Sequence, residues 1–224
     1  MTSFAIATPS RGLIHSRTLW AVEANRREAV AAGHRDLGWY GTDDLPIPEC
    51  HQVAAERALA TGAEAILFVE EDVIPPAGAL LALLDALQTY HVTAIDYPVW
   101  NATGHWSCVC RNQSDGAIRY CGLGCTLVRR ELFERLDPPW FRSDMQFAIV
   151  RQGNTTEFVQ KPVAYDYGGQ DIYFAWRALE AGMTIGEVPM TAAHARVLEL
   201  GKRETNHGYH TIQVIDTIER WQRI

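Results

Sequence analysis

The feature that most constrains the fold is an alternation of strand-like runs with helix-like segments over the first half of the sequence. The strand-like runs lie at 4–8, 38–41, 65–69 and 91–97, and segments with helical spacing of apolar residues separate them. Strand–helix–strand order with connections of this length predicts a mostly parallel sheet flanked by helices. In such a sheet, ligands bind at the carboxyl ends of the strands.

The second half of the sequence is less regular. Residues 100–110 and 118–128 indicate a small antiparallel β element, whereas the polar stretch 151–161 has little periodicity and predicts a loop. A helix is expected at 172–180, and 183–188 is expected to be the last strand. The sequence therefore predicts an α/β fold with a mixed second half.

An acidic segment follows the strand-like run 65–69. Glu70, Glu71 and Asp72 come directly after it, and the proline pair 75–76 forces an extended exit. Because strand side chains alternate in direction, we expect Glu70 and Asp72 on one face and Glu71 on the other. Two carboxylates at one strand end can hold a hard divalent cation, and the alternative is an ordinary acidic loop.

Several short motifs occur in a fixed order along the chain. They are Thr8-Pro9-Ser10-Arg11, the run 67–76, the glycine-bearing run 122–130, Gly169-Gln170-Asp171 and Ala193-His194. Together, over about residues 3–196, they resemble the GT-A class of nucleotide-sugar glycosyltransferases, nearest the family-2-like group. The resemblance implies a Rossmann-like GT-A fold, a UDP- or GDP-sugar donor and a Mn²⁺ or Mg²⁺ ion. The triplet departs from the usual Asp-x-Asp signature by having glutamate first.

The resemblance also implies roles for individual residues. Asp72 matches the carboxylate that binds the metal, and Glu70 matches the one that faces the ribose or the metal. His194 matches a histidine that often completes the metal site, with an ordinary core or surface histidine as the alternative. Asp171 matches the base of inverting members, and its alternative role is a helix N-cap. The sequence does not decide between inversion and retention.

For the nucleotide, the resemblance assigns Thr8, Pro9 and Arg11 to the loop that holds the base. Asp43 or its neighbour Asp44 follows the second strand and is expected to meet the base or ribose, and Glu71 is also kept as a candidate donor contact. We expect a single domain over 1–224, with a nucleotide-binding half (1–98), an acceptor and catalytic half (99–200) and a C-terminal tail with a helix (201–224).

Composition limits the partners. The net charge of −7 disfavours nucleic acid as the main partner. Apolar runs are too short for stable membrane insertion, and no secretory signal precedes the first strand. The odd number of cysteines, five, fits a reducing compartment, so we expect a cytoplasmic protein. The acceptor is expected to be a glycan, a small molecule or a protein, and homo-oligomer formation is left open.

Two other functions are compatible with the sequence. A nucleotidyltransferase uses a similar sheet and acidic metal site, but the loop after the first strand is short for that class. A nucleotide- or carbohydrate-binding module without catalysis is the other alternative. Separately, the thiols of Cys108, Cys110, Cys121 and Cys125 raise the question of a zinc site, against which stand their poor spacing and their apolar surroundings.

Overall fold

The structure is a computed structural model of the chain, and it describes residues 1–10, 12–101, 104–153, 155–163, 169–204 and 210–219. For 100–101, 104–106, 196–204 and 210–219 it describes the backbone alone. In chain order the elements are β1 (Ser3–Thr8), α1 (Ser16–Ala31), β2 (Arg35–Gly41), α2 (Glu49–Leu59), β3 (Ala65–Val69), β4 (Val73–Ile74), α3 (Ala79–Ala86), β5 (Val92–Asp96), β6 (Pro98–Asn101), β7 (Gly104–Ser107), β8 (Val109–Arg111), β9 (Ile118–Cys121), β10 (Cys125–Arg129), α4 (Arg130–Arg135), β11 (Met145–Gln152), β12 (Thr155–Pro162), α5 (Gln170–Glu180), β13 (Ile185–Thr191), β14 (Ala193–Glu204) and β15 (His210–Glu219).

Six strands form the central sheet in the order β13-β5-β10-β3-β1-β2. β1 pairs in parallel with β2 and β3, and β5 pairs in parallel with β13. β10 lies between β3 and β5 and is antiparallel to both. All strands except β10 therefore run in the same direction, and their carboxyl ends form one edge. The expected α/β fold with a mostly parallel sheet is confirmed, and the hairpins β6–β7 and β8–β9 supply the antiparallel element.

β3 lies in the middle of the core. All five of its residues are buried, as expected for a strand covered on both faces. On one side α2 packs through a face of small residues at 54, 55 and 58, which lets the helix approach the sheet closely. The same face carries His51, which is only 2 % exposed. A polar ring thus lies where the periodic pattern of α2 otherwise places small apolar side chains.

Asn25 ties α1 to the start of α3. Its Nδ2 donates to the carbonyl oxygens of Ala21 (2.9 Å) and Pro76 (3.0 Å), and its Oδ1 accepts from the backbone N–H of Leu80 (3.0 Å). That N–H belongs to the first turn of α3, whose N-cap residue Gly78 has no side chain to offer. These bonds hold the extended segment that leaves the acidic triplet.

Some expectations for the second half are wrong. The predicted loop 151–161 lies in a hairpin, since β11 and β12 pair from Met145–Pro162 to Gln152–Thr155. A tertiary contact outweighs the weak local pattern, because the Phe147 ring packs on Tyr120 at 5.2 Å. Instead of a helix within the tail, residues 210–219 form β15 along β14. Six of the ten residues of β15 are β-branched, which favours a strand.

β13 is likewise not the last strand, because β14 and β15 follow it. β14 begins by pairing with the short β4, and this pairing makes β14 a neighbour of the acidic triplet. No helix within the described residues has the length and apolar character needed to cross a bilayer.

Candidate active site

A cavity of about 520 Å³ opens at the carboxyl edge of the central sheet. Segments that follow β1, β3 and β5 contribute to its wall, together with the first turns of α2 and α5 and the start of β14. The lining residues are Pro9, Ile47, Cys50, His51, Glu70, Glu71, Asp72, Tyr97, Val99, Tyr120, Gln170, Asp171 and His194. This is the edge at which an α/β sheet binds ligands, as predicted from the order of elements.

The acidic triplet forms a turn between β3 and β4. The backbone N–H of Val73 donates to the carbonyl oxygen of Glu70 at 3.2 Å, which closes the turn. All three carboxylate residues, Glu70, Glu71 and Asp72, line the cavity. β3 ends at Val69, so the strand alternation from which the opposite orientation of Glu71 was predicted does not extend to the triplet.

Asp72 and His194 form a pair on one side of the cavity. The Nε2 atom of His194 lies 3.3 Å from Oδ2 of Asp72, and its Nδ1 lies 2.7 Å from the carbonyl oxygen of Pro98. A carbonyl oxygen only accepts, so Nδ1 carries a proton, and Nε2 faces Asp72 as a donor in the protonated ring or with a lone pair in the neutral ring. Burial by itself lowers the pKa of His194, but the carboxylate of Asp72 outweighs this and raises it.

A second group lies deeper in the cavity. Ligand atoms of His51, Glu70 and Asp171 all lie within 4.8 Å of one another. Among the described residues, this is the one set of three potential metal ligands that come so close together. Nε2 of His51 lies 3.4 Å from Oε1 of Glu70, and the hydroxyl of Tyr97 donates to Oε2 of Glu70 at 3.5 Å.

The imidazole of His51 is held on its other side as well. Its Nδ1 lies 3.3 Å from Sγ of Cys50, and its ring centroid lies 5.6 Å from that of Phe141. Burial by itself lowers the pKa of His51, yet the contacts with Cys50 and Glu70 raise it above its usual range. Sequence reasoning missed this residue, and the one signal for it was a histidine on an otherwise small and apolar helix face.

Asp171 is the second residue of α5, whose N-cap is Gly169, so the alternative role of Asp171 as the N-cap is wrong. Its Oδ2 accepts from the hydroxyl of Tyr120 (3.2 Å) and from the backbone N–H of Leu123 (3.4 Å). Its Oδ1 is buried and has no hydrogen-bond partner among the described residues. Burial, followed by the nearby Glu70 carboxylate, raises the pKa of Asp171 to about 7.

Only some of the residues predicted to hold the nucleotide line the cavity. Pro9 lies on the cavity wall, but Thr8 and Asp43 do not line the cavity. The hydroxyl of Thr8 is fully buried and accepts from Nε1 of Trp39 at 2.7 Å, so its side chain serves the packing of β2 on β1. Arg11 lies outside the described residues.

The cysteines do not assemble a metal site. All five are free thiols, and within the described part of the chain no three of them come together as a ligand group. Cys108, Cys121 and Cys125 are buried, where burial raises the pKa of each thiol. They behave as small residues of the core.

No protein-family model matches the sequence, and no curated protein matches it in a sequence comparison. Solved structures do match. The structure of A197 from STIV is 14% identical, with 100% of this chain and 99% of that chain covered and a TM-score of 0.52. A Drosophila β-1,4-galactosyltransferase 7 in complex with manganese, UDP-Gal and xylobiose is 13% identical, with 98% and 95% covered and a TM-score of 0.51. Its likeness over the whole chain, together with the sheet order, shows that this chain has the fold of the GT-A glycosyltransferases.

Proposed function

We propose that the chain is a metal-dependent glycosyltransferase, which moves a sugar from a nucleoside-diphosphate sugar to a hydroxyl of an acceptor. The observation that carries the proposal is the convergence of the Asp72–His194 pair and the buried carboxylate of Asp171 on one cavity. Its volume of about 520 Å³ lies within the range of ligand pockets. The galactosyltransferase that shares the fold was solved with manganese and UDP-Gal, which supports the same chemistry here.

The Asp72–His194 pair suits a divalent ion. A carboxylate oxygen and an imidazole nitrogen lie 3.3 Å apart, and the carbonyl oxygen of Pro98 fixes the proton of His194 on the far nitrogen. Such a contact to the second ring nitrogen orients histidine ligands in metal sites. When bound, Mn²⁺ or Mg²⁺ neutralises charge on the departing diphosphate. Because Glu70 faces His51 and Tyr97, we assign it to the donor rather than to this ion.

The charge of the cavity supports the need for a metal. Four carboxylate residues line it, namely Glu70, Glu71, Asp72 and Asp171, and the described lining residues include no lysine or arginine. A diphosphate that enters this cavity is repelled by the carboxylates, because like charges repel strongly in a partly desolvated site. A cation on the Asp72–His194 pair removes this repulsion, so we expect donor binding to depend on it.

Asp171 is assigned as the base. Tyr120 and Leu123 hold its Oδ2, which leaves the buried Oδ1 available to accept the proton of an acceptor hydroxyl. In an inverting reaction the deprotonated oxygen then attacks the anomeric carbon opposite the diphosphate, and general-base help of this kind contributes about 10²- to 10⁴-fold. In a retaining reaction the same carboxylate would position the acceptor.

A donor screen tests the proposal. UDP- and GDP-sugars are titrated with and without Mn²⁺, and both binding and release of the nucleoside diphosphate are measured. Metal-dependent binding with slow hydrolysis of the donor supports a glycosyltransferase. Release of pyrophosphate from nucleoside triphosphates would instead support a nucleotidyltransferase, and binding without turnover of any donor or acceptor would support a binding module. The acceptor, the cytoplasmic location and homo-oligomer formation stay predictions.

A further inference from the structure

We propose that His51, Glu70 and Asp171 form a second cation site, which takes an imidazole-binding transition ion such as Zn²⁺ and whose occupation inhibits the enzyme. The inhibitory effect rests on the proposed function, whereas the binding does not. This site differs from the Asp72–His194 pair in its elements, since its ligands come from α2, the end of β3 and α5.

The spacing of the ligand atoms leaves room for one ion between them. A charge-assisted N–H···O⁻ bond is about 2.7–2.9 Å long. Nε2 of His51 and Oε1 of Glu70 are 3.4 Å apart. Two ligands on a tetrahedral Zn²⁺ with bonds of about 2.0–2.1 Å lie roughly 3.3 Å from each other. The ligand atoms of all three residues lie within 4.8 Å of one another, so one ion could contact all of them if the carboxylates closed on it.

The imidazole of His51 is oriented for this purpose. Its Nδ1 faces Sγ of Cys50 at 3.3 Å, and the ring packs on Phe141. An ion would displace the proton that Nε2 shares with Oε1 of Glu70, while the contact of Nδ1 with Cys50 keeps the ring in place, as in metal sites where a second contact orients the histidine.

Asp171 supplies an independent observation. It is 6% exposed, and its Oδ1 has no hydrogen-bond partner among the described residues. Buried carboxylate oxygens without a donor are rare in proteins and mark a place where an ion or ligand is expected. One imidazole with two carboxylates is a donor set that suits Zn²⁺, and because all three residues line the cavity, a fourth ligand could come from it.

Occupation of this site would remove two groups from the reaction. The lone pairs of Asp171 would be committed to the ion, so the carboxylate could not accept the proton of an acceptor hydroxyl. The carboxylate of Glu70 would be turned away from the donor. Zn²⁺ should therefore inhibit even when Mn²⁺ saturates the Asp72–His194 pair.

Binding is measured in a chain that lacks the first site. In the double variant Asp72→Asn, His194→Gln, titration with Zn²⁺ should give one ion per chain, and Co²⁺ should show the visible absorption of a nitrogen- and oxygen-bound ion. Adding His51→Gln to this double variant should weaken its affinity for Zn²⁺ and for Co²⁺ by about 10- to 100-fold. Glu70→Gln serves as a second test if a His51 variant does not fold, and circular dichroism reports folding.

An unchanged Zn²⁺ affinity after both His51→Gln and Glu70→Gln would overturn the proposal, and so would the absence of any bound ion in the double variant. The activity arm compares turnover with and without Zn²⁺ at saturating Mn²⁺ in each protein. The ratio of turnover with Zn²⁺ to turnover without Zn²⁺ should be at least about 10-fold lower in the wild type than in His51→Gln. Should no transfer be found with any donor, the proposed function fails while the stoichiometry still decides the cation site.

Discussion

The imidazole of His194 lies 3.3 Å from the carboxylate of Asp72 because β14 starts by pairing with β4. His194 is opposite Val73 in this register, and the backbone N–H of Ala195 donates to the carbonyl oxygen of Asp72 at 2.7 Å. Backbone pairing, rather than the side chains alone, thus sets the distance between the two groups.

Asp72→Asn should weaken metal-dependent binding of the donor by about 10- to 100-fold, because a neutral amide is a poor ligand for a hard cation. Calorimetry with a UDP- or GDP-sugar and Mn²⁺ measures this loss, and a chelator should reproduce it in the wild type. The exposed Glu134→Gln on α4 is a control of equal charge change. Equal donor affinity in Asp72→Asn and Glu134→Gln would contradict the metal assignment.

The rate of transfer should depend on the ionisation of Asp171. Since burial and the Glu70 carboxylate raise its pKa to about 7, the base loses its charge as pH falls below 7. The rate should then decline about tenfold per pH unit on the acid side. Asp171→Asn should lower kcat by about 10²- to 10⁴-fold and keep donor binding. A pH profile that is flat from pH 5.5 to 8 would rule out this role.

Asp171→Asn should also stabilise the fold at high pH. Burial raises the pKa of Asp171 in the folded chain to about 7, above the roughly 3.9 of an unfolded aspartate, so the stability cost of ionising it grows as pH rises from about 4 and is complete above about 7. We expect a melting temperature about 2–4 °C higher than wild type at pH 8, which corresponds to about 1 kcal/mol in a chain of this size. At pH 5.5 the difference should shrink. A variant that melts lower than wild type at pH 8 would contradict the sign.

Gly124→Ala should disturb Tyr97 beside the site. A Cβ atom at this position would lie 2.5 Å from Cζ of Tyr97 and 2.6 Å from Cγ2 of Val73, both in the core. We expect a loss of about 1–3 kcal/mol in the free energy of unfolding, typical of overpacking. Denaturant unfolding measures it. Gly41→Ala is the matched control, since its Cβ would meet only the carbonyl oxygen of Thr8 at 3.7 Å.

Asn25→Leu should destabilise the protein through backbone groups that it leaves unpaired. Asn25 is 3% exposed and satisfies carbonyl oxygens and one N–H in the adjoining segments. Loss of these bonds costs about 1–3 kcal/mol, because the freed groups stay buried. The substitution Glu23→Ala on the same helix removes ion pairs that are partly exposed to solvent and should change the free energy of unfolding by less than about 1 kcal/mol. Equal effects of the two substitutions would contradict this role.

Most of the first half of the fold could be predicted from the local periodicity of the sequence. Buried strands such as β3 and the helices that follow them leave a periodic trace within a few residues. The position of β10 between β3 and β5 has no local sequence signal, because tertiary packing decides which strands become neighbours. The hairpin of β11 and β12 was missed for the same reason.

In the candidate site, too, residues in sequence motifs were predicted and residues that depend on tertiary contacts were not. Asp72, Asp171 and His194 lie in ordered motifs, and the structure places all three on one cavity. His51 was missed since a single histidine on a helix resembles a core residue until the strand opposite it is known. Strand alternation did not extend to Glu71, because the end of β3 depends on bonds across the sheet, such as that from the Glu70 N–H to the carbonyl oxygen of Gly124.

The pairing of β4 with β14 also has a consequence for biosynthesis. Asp72 and His194 are separated by more than half of the chain, and a ribosome adds residues from the N-terminus at a limited rate. The parallel strands β1 to β3 are all synthesised before any ligand from β14 exists. A nascent chain can therefore form these strands while it still lacks the imidazole, so the proposed metal pair is completed late in translation.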